Sequence, residues 1–252
     1  MLDRFVETAL DRYIESVSVD LPPDGKYHPS SMFGCARQVI YKLRATEATE
    51  TMDVQALRRF YIGHRLHDAV QEALAVAPGI AAFYPEFEAD YPEYNIGGHG
   101  DGLILLDDGT WILLEIKSIR KSAFKFGLKE DNVDQAKTYC WVVREFGAMA
   151  RSLVTGLMEP IPPLGDKLKY ILIVYLEKED LAVREYLIPW DQSMADDILA
   201  RVEYLDRYRA DPQSLPPRLP LDKKGKKNWR CGYCPMFRKC WNVDPLEVLP
   251  SV

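Results

Sequence analysis

Residues 97–118 read GGHGDGLILLDDGTWILLEIKS, two apolar runs joined by Asp107-Asp108-Gly109. Runs this apolar are buried on both faces, because alternate residues of a strand point to opposite sides. A hairpin of this kind cannot sit at a surface. It needs a packed layer above and another below, which points to a central sheet flanked by helices.

The rest of the chain supplies those layers. The opening MLDRFVETALDRYIESV carries acids and spaces Leu2, Phe5, Val6, Ala9, Leu10 and Tyr13 as one face of an amphipathic helix. A signal peptide needs instead a basic start and an unbroken apolar run. A helix capped by Ser30 or Ser31 is expected to run through CARQVIYKLR, with Cys35 in its first turns. A longer helix, about Met52 to Ala77, carries the stripe Ala56, Phe60, Gly63, His67, Val70, Leu74 and Ala77. Strands follow at AAFYPEFEADY, GHGDGLILL and TWILLEIKS, then a helix over about 131–146, a hairpin KYILIVYL/LAVREYLIPW across EKED, and a helix over about 192–209. The expected organisation is a helical region at 1–50, a core at 51–210 and a linker with a cysteine segment at 211–252, forming one compact unit. The composition is ordinary for a globular chain of 252 residues, 47% hydrophobic and 28% charged. No stretch is long and apolar enough to cross a membrane, so the expectation is a soluble, intracellular protein. The net charge of −6 argues against a simple polyanion-binding protein but not against an enzyme that gathers acids around cations.

The hairpin carries the densest chemistry. Glu115 and Lys117 are two apart and share a face of their strand. The loop decides whether Asp101 joins them: a two-residue loop sets Asp101 opposite Ile116, a three-residue loop sets it opposite Glu115. Gly109 stands where a three-residue loop needs its left-handed residue, so Asp101 and Glu115 are expected to face each other. Two carboxylates on one face form a hard oxygen site suited to Mg²⁺ or Mn²⁺, and a lysine beside them adds a fixed positive charge. A lone E-x-K tripeptide is common and is usually a solvated ion pair. The apolar strand and the upstream acid give this one weight. His67 lies on the inward stripe one turn after Gly63, where a neutral imidazole can serve as a further ligand. His64 lies off that stripe. Gln135 and Tyr139 share one helix face.

Three of the five cysteines cluster as C-x2-C-x5-C at Cys231, Cys234 and Cys240. In a reducing compartment such clustering signals metal ligation rather than disulfides, but a tetrahedral site needs a fourth thiolate. Cys35 and Cys140 remain to supply it.

The order Gly63-x-x-x-His67, Asp101, Glu115-x-Lys117, Gln135-x-x-x-Tyr139 resembles the PD-(D/E)xK nuclease superfamily, in its RecB-type exonuclease branch. The cysteines extend the resemblance to relatives with an iron–sulfur cluster: the CRISPR-associated four-cysteine nucleases, their phage-borne relatives and the AddB-type helicase–nucleases. There, one cysteine precedes the nuclease core and three follow it, which selects Cys35 with Cys231, Cys234 and Cys240, and leaves Cys140 as a free buried thiol. The resemblance implies an α/β restriction-endonuclease-like core, with the N-terminal helical region and the C-terminal tail joined by a [4Fe–4S] cluster shielded by Trp229, Tyr233, Phe237 and Trp241. It implies Mg²⁺ or Mn²⁺ held by His67, Asp101, Glu115 and the Ile116 carbonyl, Lys117 as catalytic lysine, and Gln135 and Tyr139 positioning the scissile phosphate. A zinc site of the same four thiolates fits the spacing equally well. The proline of the superfamily's motif is absent, since Gly100 precedes Asp101.

The function so implied is a metal-dependent DNA exonuclease acting on single-stranded ends in repair, recombination or CRISPR-type processing, cytoplasmic and of prokaryotic or phage origin. The alternative is an adaptor that binds DNA ends for a larger recombination or spacer-acquisition complex. Protein partners and an oligomer are compatible with either. Lys223, Lys224, Lys226 and Lys227 form a basic run suited to guiding DNA, or else a solvated linker.

Overall fold

The computed structural model describes residues 5–18, 24–46, 48–49 and 53–242. Leu2 of the N-terminal stripe and Met52, the expected start of the long helix, lie outside them. The chain divides into two compact units. One comprises residues 1–25, 34–61 and 205–252; the other comprises 26–33 and 62–204. The division thus cuts across the three consecutive segments expected from sequence. Residues 26–33 belong with the sheet because Tyr27, fully buried, bridges to Ile96 and exchanges backbone hydrogen bonds with Asn95 and Gly97.

The helices in chain order are α1 (Phe5–Val17), α2 (Pro29–Met32), α3 (Ala36–Leu43), α4 (Val54–Leu74), α5 (Lys121–Phe124), α6 (Glu130–Phe146), α7 (Gln192–Ala210) and α8 (Phe237–Trp241). The strands are β1 (Ile80–Tyr91), β2 (Ile96–Leu106), β3 (Trp111–Ile119), β4 (Ala148–Arg151), β5 (Met158–Ile161), β6 (Leu168–Glu177) and β7 (Val183–Pro189). They form one sheet in the order β5-β4-β1-β2-β3-β6-β7. β3 and β6 run parallel and the other neighbours antiparallel, so the sheet is mixed. No described helix is long and apolar enough to cross a membrane.

The sheet is covered on both faces, as its apolar centre demands. Ile112, Leu114 and Ile116 of β3 pack with Phe83, Ile104 and Val174, and Val70 and Leu74 of α4 lie against them. The alternate residues Leu113 and Glu115 are equally buried, and Gln135 of α6 reaches Lys117 two places on. The β6–β7 hairpin closes over Glu177, whose carboxylate accepts the Glu179 and Asp180 N–H groups at 3.0 Å each.

Four local expectations give way. The helix expected to start at Ser30 or Ser31 is interrupted at Phe33–Gly34, and Cys35 sits at the N-cap of α3 in an extended conformation (φ −67°, ψ 110°). The buried side of α1 centres on Ile14 (2% exposed), whereas Val6 (77%) and Leu10 (45%) of the expected stripe face outward. Phe60 of the α4 stripe is also exposed. β4 and β5 lie between the helix over about 131–146 and the hairpin, where no strand was expected.

Candidate active site

The β2–β3 register builds the site. Gly102 pairs with Leu114, Leu103 with Leu113 and Ile104 with Ile112, which continues to Asp101 opposite Glu115. The connecting loop is Asp107–Gly109, closed by Leu106 N–H to Thr110 O (2.9 Å), with Gly109 in the left-handed region at φ 82°. Beyond Gly102 a side chain takes over from the ladder: Asp101 Oδ2 accepts the Ile116 N–H at 2.6 Å.

Two residues of α4 grip Asp101. His67 Nδ1 lies 3.3 Å from Asp101 Oδ1, and Gln71 Nε2 donates to the Asp101 carbonyl at 2.8 Å. They are one helical turn apart and so share a face. Gly63, one turn earlier, lets the helix come close to β3, since a Cβ there would lie 3.2 Å from the Ser118 hydroxyl. His64 is exposed, with its ring centroid 6.4 Å from that of His67, and among the described residues it makes no hydrogen bond or ion pair with Asp101. Gln71 was not singled out from sequence, although its spacing from His67 was the signal.

Glu115 is 1% exposed. Lys117 Nζ stands 2.5 Å from its Oε1 but donates its hydrogen bond to Gln135 Oε1 at 2.9 Å. Among the described residues neither Glu115 oxygen has an aligned hydrogen-bond donor. Burial pushes the Glu115 carboxyl up to about 8, the Asp101 charge adds to the rise, and Lys117 opposes it. Lys117 meets only Oε1, and a buried carboxylate whose other oxygen has no donor, with the Asp101 carboxylate beside it, suits a second cation.

Tyr139 is buried (3% exposed), which sets it apart from a residue that touches a DNA strand at the surface. Its hydroxyl takes the His99 N–H, and burial first, then Glu115 and Asp101, raise its pKa. A side chain at Gly98 would strike that hydroxyl (2.7 Å). Tyr139 therefore pins β2 just before Asp101. The side chain of Ile116 lies in the core cluster.

In the other unit, Cys35, Cys231, Cys234 and Cys240 line one pocket with Arg37, Tyr41, Arg218, Phe237 and Trp241. Burial raises the pKa of Cys231 and Cys234, and their neighbouring cysteines add to the rise. The Trp241 indole N–H donates to the Cys231 sulfur and the Met236 N–H to that of Cys234, each favouring thiolate. Phe237 is buried, but Trp229 and Tyr233 are 70% and 82% exposed and shield nothing. Lys227 lies over the Phe237 and Trp241 rings at 4.5 and 5.0 Å. Lys223, Lys224 and Lys226 are exposed on a turn closed by Asp222, which accepts the Lys224 and Lys226 N–H groups. Cys140 is buried on α6, and burial raises its pKa, as expected of an inert thiol. Among the described residues no three or more His, Cys, Asp or Glu side chains stand in ligating geometry as they are.

A mixed sheet with α4 and α6 packed against it, and with acids on adjacent strands at its centre, defines the chain as having an α/β fold seen in other proteins. Two solved structures carry that likeness. An alkaline exonuclease (LHK-Exo) from Laribacter hongkongensis is 15% identical, covers 75% of this chain and 90% of its own, and aligns with a TM-score of 0.50. A structure named SSO0001 is 19% identical, covers 97% of both chains and aligns at 0.51. No family model and no curated protein matches the chain.

Proposed function

We propose that the protein is a divalent-metal-dependent deoxyribonuclease that removes nucleotides from single-stranded DNA ends. The observation that carries this reading is the cluster at Glu115: a fully buried carboxylate opposite Asp101 that meets the Lys117 ammonium at Oε1 and has no hydrogen-bond donor at Oε2 among the described residues. The likeness of fold to an alkaline exonuclease is in keeping with it.

The donor set fits a hard cation. Glu115, Asp101 and His67 would hold Mg²⁺ or Mn²⁺, with the Ile116 carbonyl as a further oxygen. When bound, the ion supplies charge stabilisation at the phosphate and activation of water. The chain's own residues do the rest. Gln71 and His67 fix Asp101 from its carbonyl and its carboxylate. Gln135 holds Lys117 by its ammonium and so aims that charge at the site. Tyr139 fixes the approach of β2 through the His99 N–H.

We further propose that Cys35, Cys231, Cys234 and Cys240 bind a [4Fe–4S] cluster. Four thiols on one pocket, N–H donors to two of the sulfurs, and nearby Arg37, Arg218 and Lys227 suit a centre of net negative charge. Iron with acid-labile sulfide would support the cluster, and zinc without sulfide would replace it with a structural zinc site.

The test of function is cleavage of end-labelled single-stranded DNA with Mg²⁺ or Mn²⁺, comparing wild type with Lys117→Ala. Loss of cleavage in the variant supports the nuclease. DNA binding without turnover in the wild type assigns the end-binding adaptor instead.

A further inference from the structure

The segment that leaves the catalytic strand is a second site. Residues 120–129, RKSAFKFGLK, carry four cations and no acid in a chain whose net charge is −6. Elsewhere in the same unit several cations meet carboxylates: Lys26 with Asp90, Arg65 with Asp68, Lys137 with Asp134, Arg144 with Asp166. In this segment Lys121 meets Asp180 at 3.2 Å, while Arg120, Lys125 and Lys129 are exposed with no carboxylate partner among the described residues. Between them Phe126 is 74% exposed, with Lys125 Nζ 5.1 Å from its ring centroid. A phenylalanine left in water beside a cation costs free energy in the free protein and fits a planar, anionic partner.

The segment is tied down on the face of the sheet that carries Lys117. Lys117 pairs in register with Tyr175 of β6, and Tyr175 with Arg184 of β7. Residues so paired project from the same face. The Tyr175 hydroxyl accepts the Lys129 N–H (2.9 Å) and the Asn132 amide (2.6 Å). Arg184 donates to the Phe124 carbonyl (2.8 Å) and lies over the Phe124 ring (4.6 Å). The chain therefore departs from β3 two residues after Lys117 and returns beside Lys117's neighbour in the sheet. The Phe126 side chain is held outward between these anchors. Adjacent strands are about 5 Å apart, so the row from Lys117 to Arg184 spans about 10 Å.

We propose that residues 120–129 form a single-stranded DNA platform in which Phe126 stacks on a base and Arg120, Lys125 and Lys129 meet phosphates of the strand held at Lys117. The proposal rests on the reading of the site as a deoxyribonuclease, and it locates strand binding in the same unit as the catalytic residues. Stacking on an aromatic face is tolerant of sequence, and phosphate contacts give a strong dependence on salt.

The experiment measures binding of fluorescein-labelled oligothymidylate by fluorescence polarisation, in EDTA to silence cleavage, over a range of salt concentrations. Phe126→Ala is expected to weaken binding about tenfold at fixed salt. The triple variant Arg120→Gln/Lys125→Gln/Lys129→Gln is expected to flatten the slope of log K against log salt by about 2, the value for three phosphates on a single strand. All four positions are exposed, and circular dichroism checks that the variants fold. Wild-type affinity in Phe126→Ala together with a wild-type salt slope in the triple variant overturns the platform, as does a wild type that does not bind the oligonucleotide. Cleavage, assayed separately with Mn²⁺, keeps the two readings apart. A wild type that binds through this segment yet cleaves nothing retains the platform and removes the nuclease. One that cleaves but binds equally well without the segment removes the platform alone.

Discussion

Replacing Glu115 by glutamine removes a buried titratable group at the centre of the sheet and keeps its shape. In the metal-free protein the Glu115 carboxyl titrates near 8 instead of 4.5, chiefly because burial disfavours its charged form. The folded state therefore binds a proton more tightly than the unfolded state does. The stability this confers is complete below pH 4.5 and is lost as pH rises towards 8. At about 1.4 kcal/mol per pH unit, the ceiling on that loss is about 5 kcal/mol. Glu115→Gln has no proton to release and lacks this component of the slope. Urea unfolding of the chelated proteins between pH 5 and 9 measures the difference. Wild type is expected to lose stability relative to Glu115→Gln across the window, and Mn²⁺ to restore wild type alone. Parallel pH profiles for the two proteins would show that Glu115 is charged and satisfied without a metal, and the argument from its orphaned oxygens would fail.

Other outcomes follow from the same geometry. Lys117→Ala is expected to lose at least about 100-fold in cleavage rate with little change in melting temperature. Asp101→Ala removes the acceptor of the Ile116 N–H as well as a proposed metal ligand, so unfolding should show a cost of about 1–3 kcal/mol in addition to lost cleavage. His67→Ala should reduce cleavage far more than His64→Ala, and the reverse order would place the wrong face of α4 at the site. Gln71→Leu should lower the cleavage rate and leave the DNA affinity unchanged, because it frees the backbone of Asp101 without touching the strand. Cys231→Ala should lose the visible absorbance of a cluster, and an unchanged spectrum would rule it out as a ligand.

Much of the site was legible because it depends on short-range rules. Gly109 fixed the loop, the loop fixed the register, and the register set Asp101 against Glu115. The four-residue spacings of Gly63 with His67 and of Gln135 with Tyr139 follow from helix geometry alone. Depth was harder to read. Tyr139 shares a helix face with Gln135, yet only the packing of α6 against the sheet shows it to be buried. β4 and β5 were missed because each is four residues long, with polar residues and Pro160 breaking any alternation. The aromatics around the cysteines share one short segment, but Phe237 turns inward while Trp229 and Tyr233 do not. A basic run attracts notice when it is dense, as at residues 223–227, where only Gly225 interrupts four lysines. The cations of residues 120–129 are spaced out by Ser122, Ala123, Phe124 and Phe126, and the lack of carboxylate partners at Arg120, Lys125 and Lys129 among the described residues is visible only in three dimensions.

The cysteine pocket draws one thiol from Cys35 and the other three from the segment Cys231–Cys240, with residues 62–204 between them in the chain. Synthesis proceeds from the N-terminus, so every strand of the sheet has left the ribosome before the second thiol of the pocket exists. Cys35 waits as a single thiol throughout that interval. Assembly of the proposed four-thiol centre is thereby postponed until translation has passed Cys240, and a ribosome that stops early releases a chain with its whole sheet encoded but no means of closing the pocket.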